Sequence, residues 1–155
     1  MKILLAVDGS KYANNAATEC CRIISPGEGS ELRIVSVAEY SVPVGIEPFA
    51  VSSEFYITVN NELKKVTEGY VADAEALVKK EIGDKMKIET KVLRGSPKVE
   101  IVREAEEWGA DLIVVGSHGY GFFERMLIGS VSNAILHHAP CSVLVVKSRD
   151  AGDKE

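Results

Sequence analysis

The chain has 155 residues, of which 46% are hydrophobic and 26% charged, and its formal net charge is −5. This length and composition are typical of one globular domain with its own core, which excludes collagen-like, coiled-coil and fully disordered proteins. The acidic balance argues against a protein that holds the backbone of a nucleic acid, and no apolar run reaches the ~20 residues of a membrane span.

Hydrophobic periodicity and helix-breaking residues divide the chain into strands that alternate with helices. Short apolar runs predict the strands, because the strands of a parallel sheet are buried on both faces. Apolar residues at helical spacing, between Ser or Pro starts and Gly or Pro stops, predict the helices. The predicted elements are strand 2–7, a helix from Ser10 to Ile24, strand 32–38, an irregular segment 39–61, a helix through 63–78, strand 86–93, a helix from Ser96 to Trp108, strand 112–115, a helical segment ending at His138, and strand 142–146.

Strands that alternate with helices predict an α/β fold, a three-layer sandwich in which a parallel sheet lies between two layers of helices. Right-handed crossovers then limit the topology to a few doubly wound orders. In such sheets the ligand binds beyond the carboxyl ends of the strands, where the winding reverses. A functional site is therefore expected directly after Val7, Ala38, Leu93 or Val115.

The start of the chain and its cysteines predict a cytoplasmic protein. Residues 1–7 carry one lysine and only five consecutive apolar residues, too few for the apolar region of a signal peptide. Cys20, Cys21 and Cys141 form an odd set without a paired framework, which fits a reducing compartment. Cys20 and Cys21 lie in an apolar helical pattern, so we expect them to pack in the core.

A glycine-rich segment follows the fourth predicted strand. Three glycines within residues 116–121 allow a sharp turn and a close approach of ligand to backbone. Further on, Gly129 precedes a helix start, whose N–H groups suit phosphate, and the hydroxyls of Ser130 and Ser132 can add donors. Neither a Walker A sequence nor a complete dinucleotide fingerprint is present. Taken alone, a glycine turn can also serve only to close a tight corner.

The spacing Gly116-x2-Gly119-x9-Gly129-Ser130 resembles the ATP-binding signature of the universal stress protein family. The resemblance extends from residue 2 to residue 147, through segments 6–10, 95–97, 110–116, 125–132 and 139–146. It implies a single domain over residues 1–147, followed by a polar tail over 148–155. It also implies a Rossmann-like, five-stranded parallel sheet in the order 3-2-1-4-5, related to the adenine nucleotide alpha hydrolases. The region 39–61 matches no motif of the family.

The resemblance further implies a member of the ATP-binding subgroup, with ATP, with or without Mg²⁺, between strands one and four. The implied function is a nucleotide-dependent regulator in stress response, with at most weak ATPase activity. One alternative is a slow ATP-hydrolysing or nucleotidyl-transferring enzyme of the same fold, although the His-x-Gly-His cluster of adenylyl-transferring relatives is absent. Another is an interaction protein with a vestigial pocket. A regulatory protein partner is expected, although the residues do not identify it. Binding to a nucleic acid or to a membrane is not expected.

Individual residues at the strand ends have more than one interpretation. Asp8 can accept hydrogen bonds from the ribose or the adenine amine, or it can cap the first helix. His118 can donate to a phosphate, or it can be an exposed loop side chain. No catalytic constellation and no metal cluster is visible. The candidate binding residues are Ala6, Val7, Asp8, Val37, Gly116, Ser117, His118, Gly119, Gly121, Phe122, Gly129, Ser130, Val131 and Ser132.

The last strand and the irregular segment predict contacts beyond the domain. Residues 142–146 are apolar, uncharged and free of proline, and they form an edge of the 3-2-1-4-5 sheet. Pairing with the same strand of a second chain would satisfy that edge, so a homodimer is predicted, unless the tail from Ser148 covers it. Segment 39–61 leaves the ligand edge of strand two. It is predicted to border the cleft or contact a partner, with a simple connector as the alternative.

Overall fold

A computed structural model describes residues 1–24, 29–39, 53–118 and 128–147, and the following account concerns these residues. Strands and helices alternate along the chain as the periodicity predicts, with most boundaries within two residues of the expected positions. The elements are β1 (Lys2–Ala6), α1 (Lys11–Ile23), β2 (Glu31–Ala38), α2 (Ser53–Ile82), β3 (Lys87–Arg94), α3 (Pro97–Trp108), β4 (Leu112–Gly116), α4 (Ser130–His138) and β5 (Ser142–Val146).

The five strands form one parallel sheet in the order β3-β2-β1-β4-β5, which confirms the predicted topology. Strand β1 pairs with β2 on one side and with β4 on the other, and Leu5 lies opposite both Ile34 and Val114. The winding therefore reverses between β1 and β4. This is the place where a doubly wound sheet opens a crevice for a ligand.

Helices cover both faces of the sheet, and the alternation of side chains along β1 assigns each face. Ile3, Leu5 and Val7 pack against α1 and α2, whereas Leu4 and Ala6 pack against α3 and α4. Successive side chains of a strand point to opposite faces of the sheet. When helices cover both faces, the side chains on each face must therefore be apolar. This is why residues 3–7 form an uninterrupted apolar run.

Helix α2 begins earlier than the sequence predicts, because residues 53–61 are helical rather than irregular. None of residues 54–66 is buried, and Phe55 and Ile57 are more than half exposed. Apolar residues do recur at helical spacing here, at positions 55, 59 and 63, but the predicted helix begins only at the last of them. Residues 53–66 extend the packed part of α2, in which Thr67 is the first buried residue. Extending an existing helix has a much smaller free-energy cost than nucleating a new one.

The cysteines of α1 pack in the core as predicted. Cys20 is buried between α1 and the sheet, and burial raises the pKa of its thiol to about 12. Burial also raises the pKa of Cys21, and the three cysteines of the chain are free thiols. A thiol with a raised pKa is a poor nucleophile, so these two residues act as small apolar side chains.

Candidate nucleotide-binding site

The turn after β1 is shaped by Asp8, Gly9 and Ser10. The Ser10 hydroxyl accepts a hydrogen bond from the Ala13 N–H at 3.2 Å, so Ser10 caps α1 as predicted. Asp8 does not take the capping position. Its Oδ1 accepts from the Ser10 N–H at 3.0 Å, which fixes the carboxylate at the carboxyl end of β1, next to the start of α1.

Gly9 is required in this turn for two independent reasons. Its φ is +76°, in the left-handed region that favours glycine. A Cβ at this position would also lie 2.3 Å from Cε1 of Tyr70, whose ring is packed over the turn from α2. Tyr70 is therefore a neighbour of the candidate site that the sequence did not indicate, because its position in the apolar stripe of α2 resembles ordinary core packing.

Gly116, at the end of β4, serves helix packing rather than a left-handed turn. A Cβ there would lie 2.8 Å from the backbone carbon and oxygen of Tyr12. The absence of a side chain lets the first turn of α1 close onto β4. The close approach at Gly116 is thus to the backbone of α1, whereas the sequence predicted a close approach to a ligand.

Ser117 joins the ends of two strands to the start of α4. Its N–H donates to the carbonyl of Val146 at 2.8 Å, and its carbonyl accepts from the Gly129 N–H at 2.7 Å. The Ser132 hydroxyl, which is buried, donates to the carbonyl of Gly116 at 2.6 Å. These three bonds fix the start of α4 beside the end of β4, although 11 residues of sequence separate Ser117 from residue 129.

The start of helix α4 has backbone donors that the helical bonding pattern does not use. It begins at Ser130 with Gly129 as the N-cap, which confirms the predicted helix start. The first backbone bond of the helix runs from the Asn133 N–H to the Gly129 carbonyl, so the N–H groups of Ser130, Val131 and Ser132 precede the helical bonding pattern. Together with the positive end of the helix dipole, these groups suit an anion.

His118 contacts the start of α1 and directly follows Ser117, whose carbonyl is bonded to Gly129 at the start of α4. Its Nδ1 is 3.0 Å from the hydroxyl of Ser117, and its ring centroid is 5.2 Å from that of Tyr12, with a tilt of 53°. Lys11 places its Nζ 5.2 Å from the centroid of the same Tyr12 ring. Lys11 and Tyr12 are not among the residues that the sequence predicts for the site. Their place in the first turn of α1, at the ligand edge of the sheet, is the signal that could have indicated them.

The apolar candidates divide between the two faces of the sheet. Ala6 is buried and Val37 half-buried on the face covered by α3 and α4, whereas Val7 packs towards α1 and α2. The Val7 N–H donates to the Val35 carbonyl at 2.9 Å. Ala6 and Val37 can therefore share a wall of a pocket, whereas the side chain of Val7 is part of the opposite core.

The remaining candidates, Gly119, Gly121 and Phe122, lie outside the described residues. In the part of the chain that is described, no three His, Cys, Asp or Glu side chains cluster closely enough to hold a metal ion. No helix in the same part is both long and apolar enough to cross a membrane.

Comparison with known proteins identifies relatives along almost the whole chain. The model of the universal stress protein family matches residues 1–147. A putative universal stress protein of Staphylococcus epidermidis is 34% identical over 150 residues, which cover 96% of this chain and 84% of the relative. The solved structure of hypothetical protein MJ0577 is similar, with a TM-score of 0.72, 30% identity and coverage of 97% of both chains.

Two more distant structures have the same fold and carry adenine nucleotides. A universal stress protein in complex with cAMP has a TM-score of 0.64 and 22% identity, and covers 95% of this chain and 96% of its own. A universal stress protein family protein from Arabidopsis thaliana with AMP bound has a TM-score of 0.62 and 20% identity, with coverage of 97% and 93%. From its sequence relatives and its fold, the present chain belongs to the universal stress protein family.

Proposed function

We propose that the protein is an ATP-binding regulator of the stress response, and that it binds the nucleotide at the carboxyl ends of β1 and β4. The observation that carries the proposal is the start of α4, where three N–H groups precede the helical bonds beside Ser117. Such a helix start favours phosphate, and the glycine spacing of the chain supports the same assignment. Structural relatives with AMP and cAMP bound support an adenine nucleotide as the ligand class.

The described residues fit the two ends of an adenine nucleotide. Ala6 and Val37 offer apolar contacts to the adenine, and Asp8 offers a carboxylate to the ribose or to the adenine amine. Ser130 and Val131 offer N–H groups to the phosphates, whereas the predicted contacts of Gly119 and Gly121 fall on residues outside the described part of the chain. Mg²⁺, where it accompanies ATP, would bind mainly through phosphate oxygens and water, since it usually keeps several waters.

A pair of substitutions at Ser130 tests the phosphate site. Ser130→Pro removes one backbone N–H at the first helical position, where proline is well tolerated. The preceding Gly129 already has φ −64° and ψ 156°, the conformation that a residue before proline prefers. Ser130→Ala is the matched control, because it removes the hydroxyl and keeps the N–H.

The expected result is selective. Loss of a hydrogen bond to a charged phosphate costs ~1.5–3 kcal/mol, so Ser130→Pro should weaken ATP binding at least about tenfold relative to Ser130→Ala in calorimetric titrations. Both variants should retain the thermal stability of the parent within about 1 kcal/mol. Equal affinities of the two variants would place the phosphates elsewhere, and a parent protein that neither binds ATP nor is purified with it would refute the function.

We also propose that the single domain, residues 1–147, forms a homodimer through β5 in the cytoplasm. Strand β5 is an edge of the sheet, and its Val143, Leu144 and Val145 are only half-buried. An apolar edge strand of this kind is a template for pairing with another chain. Val145→Lys and Val143→Pro should convert a dimer into a monomer in sedimentation experiments. A monomeric parent at micromolar concentration, or a dimer that survives both changes, would contradict this arrangement.

A further inference from the structure

Tyr12 and His118 come from different elements and meet at the ligand edge of the sheet. We infer that Tyr12 is a positioning residue: its ring holds the His118 imidazole beside the start of α4, where the imidazole donates to the phosphate groups of a nucleoside di- or triphosphate. This inference rests on the proposed ATP site. In this inference, Tyr12 controls the part of the ATP affinity that depends on the phosphate groups. Neither the glycine spacing nor the start of α4 indicates such a role for Tyr12.

Tyr12 is itself held firmly. Only 7% of its surface is exposed, and its backbone packs so closely on Gly116 that a Cβ there would lie 2.8 Å from the Tyr12 carbonyl group. The residue lies in the first turn of α1, which the Ser10 hydroxyl caps. The packing therefore fixes the Tyr12 backbone, and the burial of the residue limits the space into which its ring can turn away from His118.

His118 is supported from a second side by Ser117. The hydroxyl of Ser117 lies 3.0 Å from Nδ1, and the backbone of Ser117 is bonded both to the end of β5 and to Gly129. Because Nδ1 is engaged by Ser117, the opposite nitrogen, Nε2, is the one assigned to the ligand. The Ser117 carbonyl also accepts from the Gly129 N–H, so the residue directly before His118 is bonded to the N-cap of α4.

The groups around His118 favour a ligand with several negative charges. In the first turn of α1, the Lys11 ammonium lies 5.2 Å from the centroid of the Tyr12 ring, and the same ring contacts His118. Helix α4 adds the positive end of its dipole through Ser130 and Val131, which carry no charge themselves. An ammonium, an imidazole and a helix start at the carboxyl ends of β1 and β4 suit a polyphosphate better than an uncharged nucleoside.

The test compares adenosine, AMP and ATP as ligands in calorimetric titrations of the full chain. Tyr12→Leu removes the aromatic ring, and Tyr12→Phe retains it. We expect Tyr12→Leu to weaken ATP binding about tenfold and adenosine binding less than twofold, with Tyr12→Phe close to the parent. His118→Ala should cause a loss similar to that of Tyr12→Leu, and the double variant should lose little more, because both changes remove the same interaction. Val78→Ala, buried between α2 and the sheet, is the control for general destabilisation.

The outcomes separate this inference from the proposed function. If the parent does not bind ATP, both fail. If the parent binds ATP and Tyr12→Leu weakens adenosine and ATP equally, or changes neither, only the positioning role is refuted. If Tyr12→Leu does not fold, Ser117→Ala removes the other support of His118 and must weaken ATP selectively. A Ser117→Ala protein with the parental ratio of ATP to adenosine affinity would then overturn the inference.

Discussion

Glu104 is the buried centre of an ion-pair network between α3 and the sheet, and its removal should destabilise the protein strongly. Its carboxylate accepts hydrogen bonds from Arg33 at 2.8 Å and from Lys91 at 2.5 Å, and only 4% of the side chain is exposed. Glu104→Ala leaves both cations without this partner. Removing one member of a buried pair costs ~3–5 kcal/mol.

The geometry places the expected cost at the lower end of that range. Arg33 is 18% exposed and keeps its bond to Glu89 at 2.7 Å, and Lys91 is 49% exposed and can regain water. We therefore expect Glu104→Ala to lower the free energy of unfolding by about 3 kcal/mol. Glu107→Ala is the matched control on the same helix, because Glu107 is 64% exposed and lies 3.9 Å from its partner. Its cost should be under about 0.5 kcal/mol.

Urea denaturation measures both changes, with the single tryptophan as the reporter. The guanidinium carbon of Arg33 lies 4.2 Å from the centroid of the Trp108 ring, so fluorescence reports on the region of the network. An unchanged urea slope is required before midpoints are converted into free energies. Equal costs for Glu104→Ala and Glu107→Ala, or a cost below about 1 kcal/mol for Glu104→Ala, would refute the reasoning.

Gly116→Ala should lower the free energy of unfolding by ~1–3 kcal/mol, because the new Cβ meets the α1 backbone. Gly69→Ala, in an open and exposed helical position, should raise the free energy of unfolding by ~0.5–1 kcal/mol. Thermal unfolding of both variants checks these opposite signs. The pKa of Glu89 is lowered to about 2, mainly by its hydrogen bond to the Lys87 ammonium. The stabilising contribution of Glu89 is therefore complete above pH ~4.3, the pKa of the unfolded-state carboxyl, and is lost as the pH falls towards 2. Acid titrations should therefore show a shallower loss of stability for Glu89→Gln than for the parent, and parallel curves would argue against this ion pair. Cys20 should resist alkylation at pH 8 until the protein unfolds, and rapid labelling of the native protein, located by peptide mapping, would contradict its burial.

The fold could be predicted because its signals are local or repeated. Each strand is a short apolar run, each packed helix has an apolar stripe, and Ser10 and Gly109 mark helix ends by their own chemistry. The strand order came from the resemblance of the whole chain to a family, not from periodicity. The first turns of α2 were missed because the predicted helix begins at Leu63, although apolar residues at positions 55 and 59 continue the same helical spacing.

The site could be predicted only in part, because its positions depend on contacts distant in sequence. The Ser132 hydroxyl was expected to face phosphate, whereas in the structure its proton is donated to the Gly116 carbonyl, 16 residues earlier. Tyr12 and Tyr70 resembled core residues in their helical stripes, and both are largely buried. Only the packing of α1 and α2 against the ends of β1 and β4 shows that their rings lie at the candidate site.

The most direct test of phosphate binding at the start of α4 is a titration of the ¹⁵N-labelled protein with ATP, followed through the amide resonances of Ser130 and Val131. The account predicts that both resonances shift with ATP and stay nearly in place with adenosine, because these N–H groups bond to phosphate oxygens. If both resonances remain unchanged at saturating ATP, or shift equally with adenosine, the phosphates do not bind at this helix.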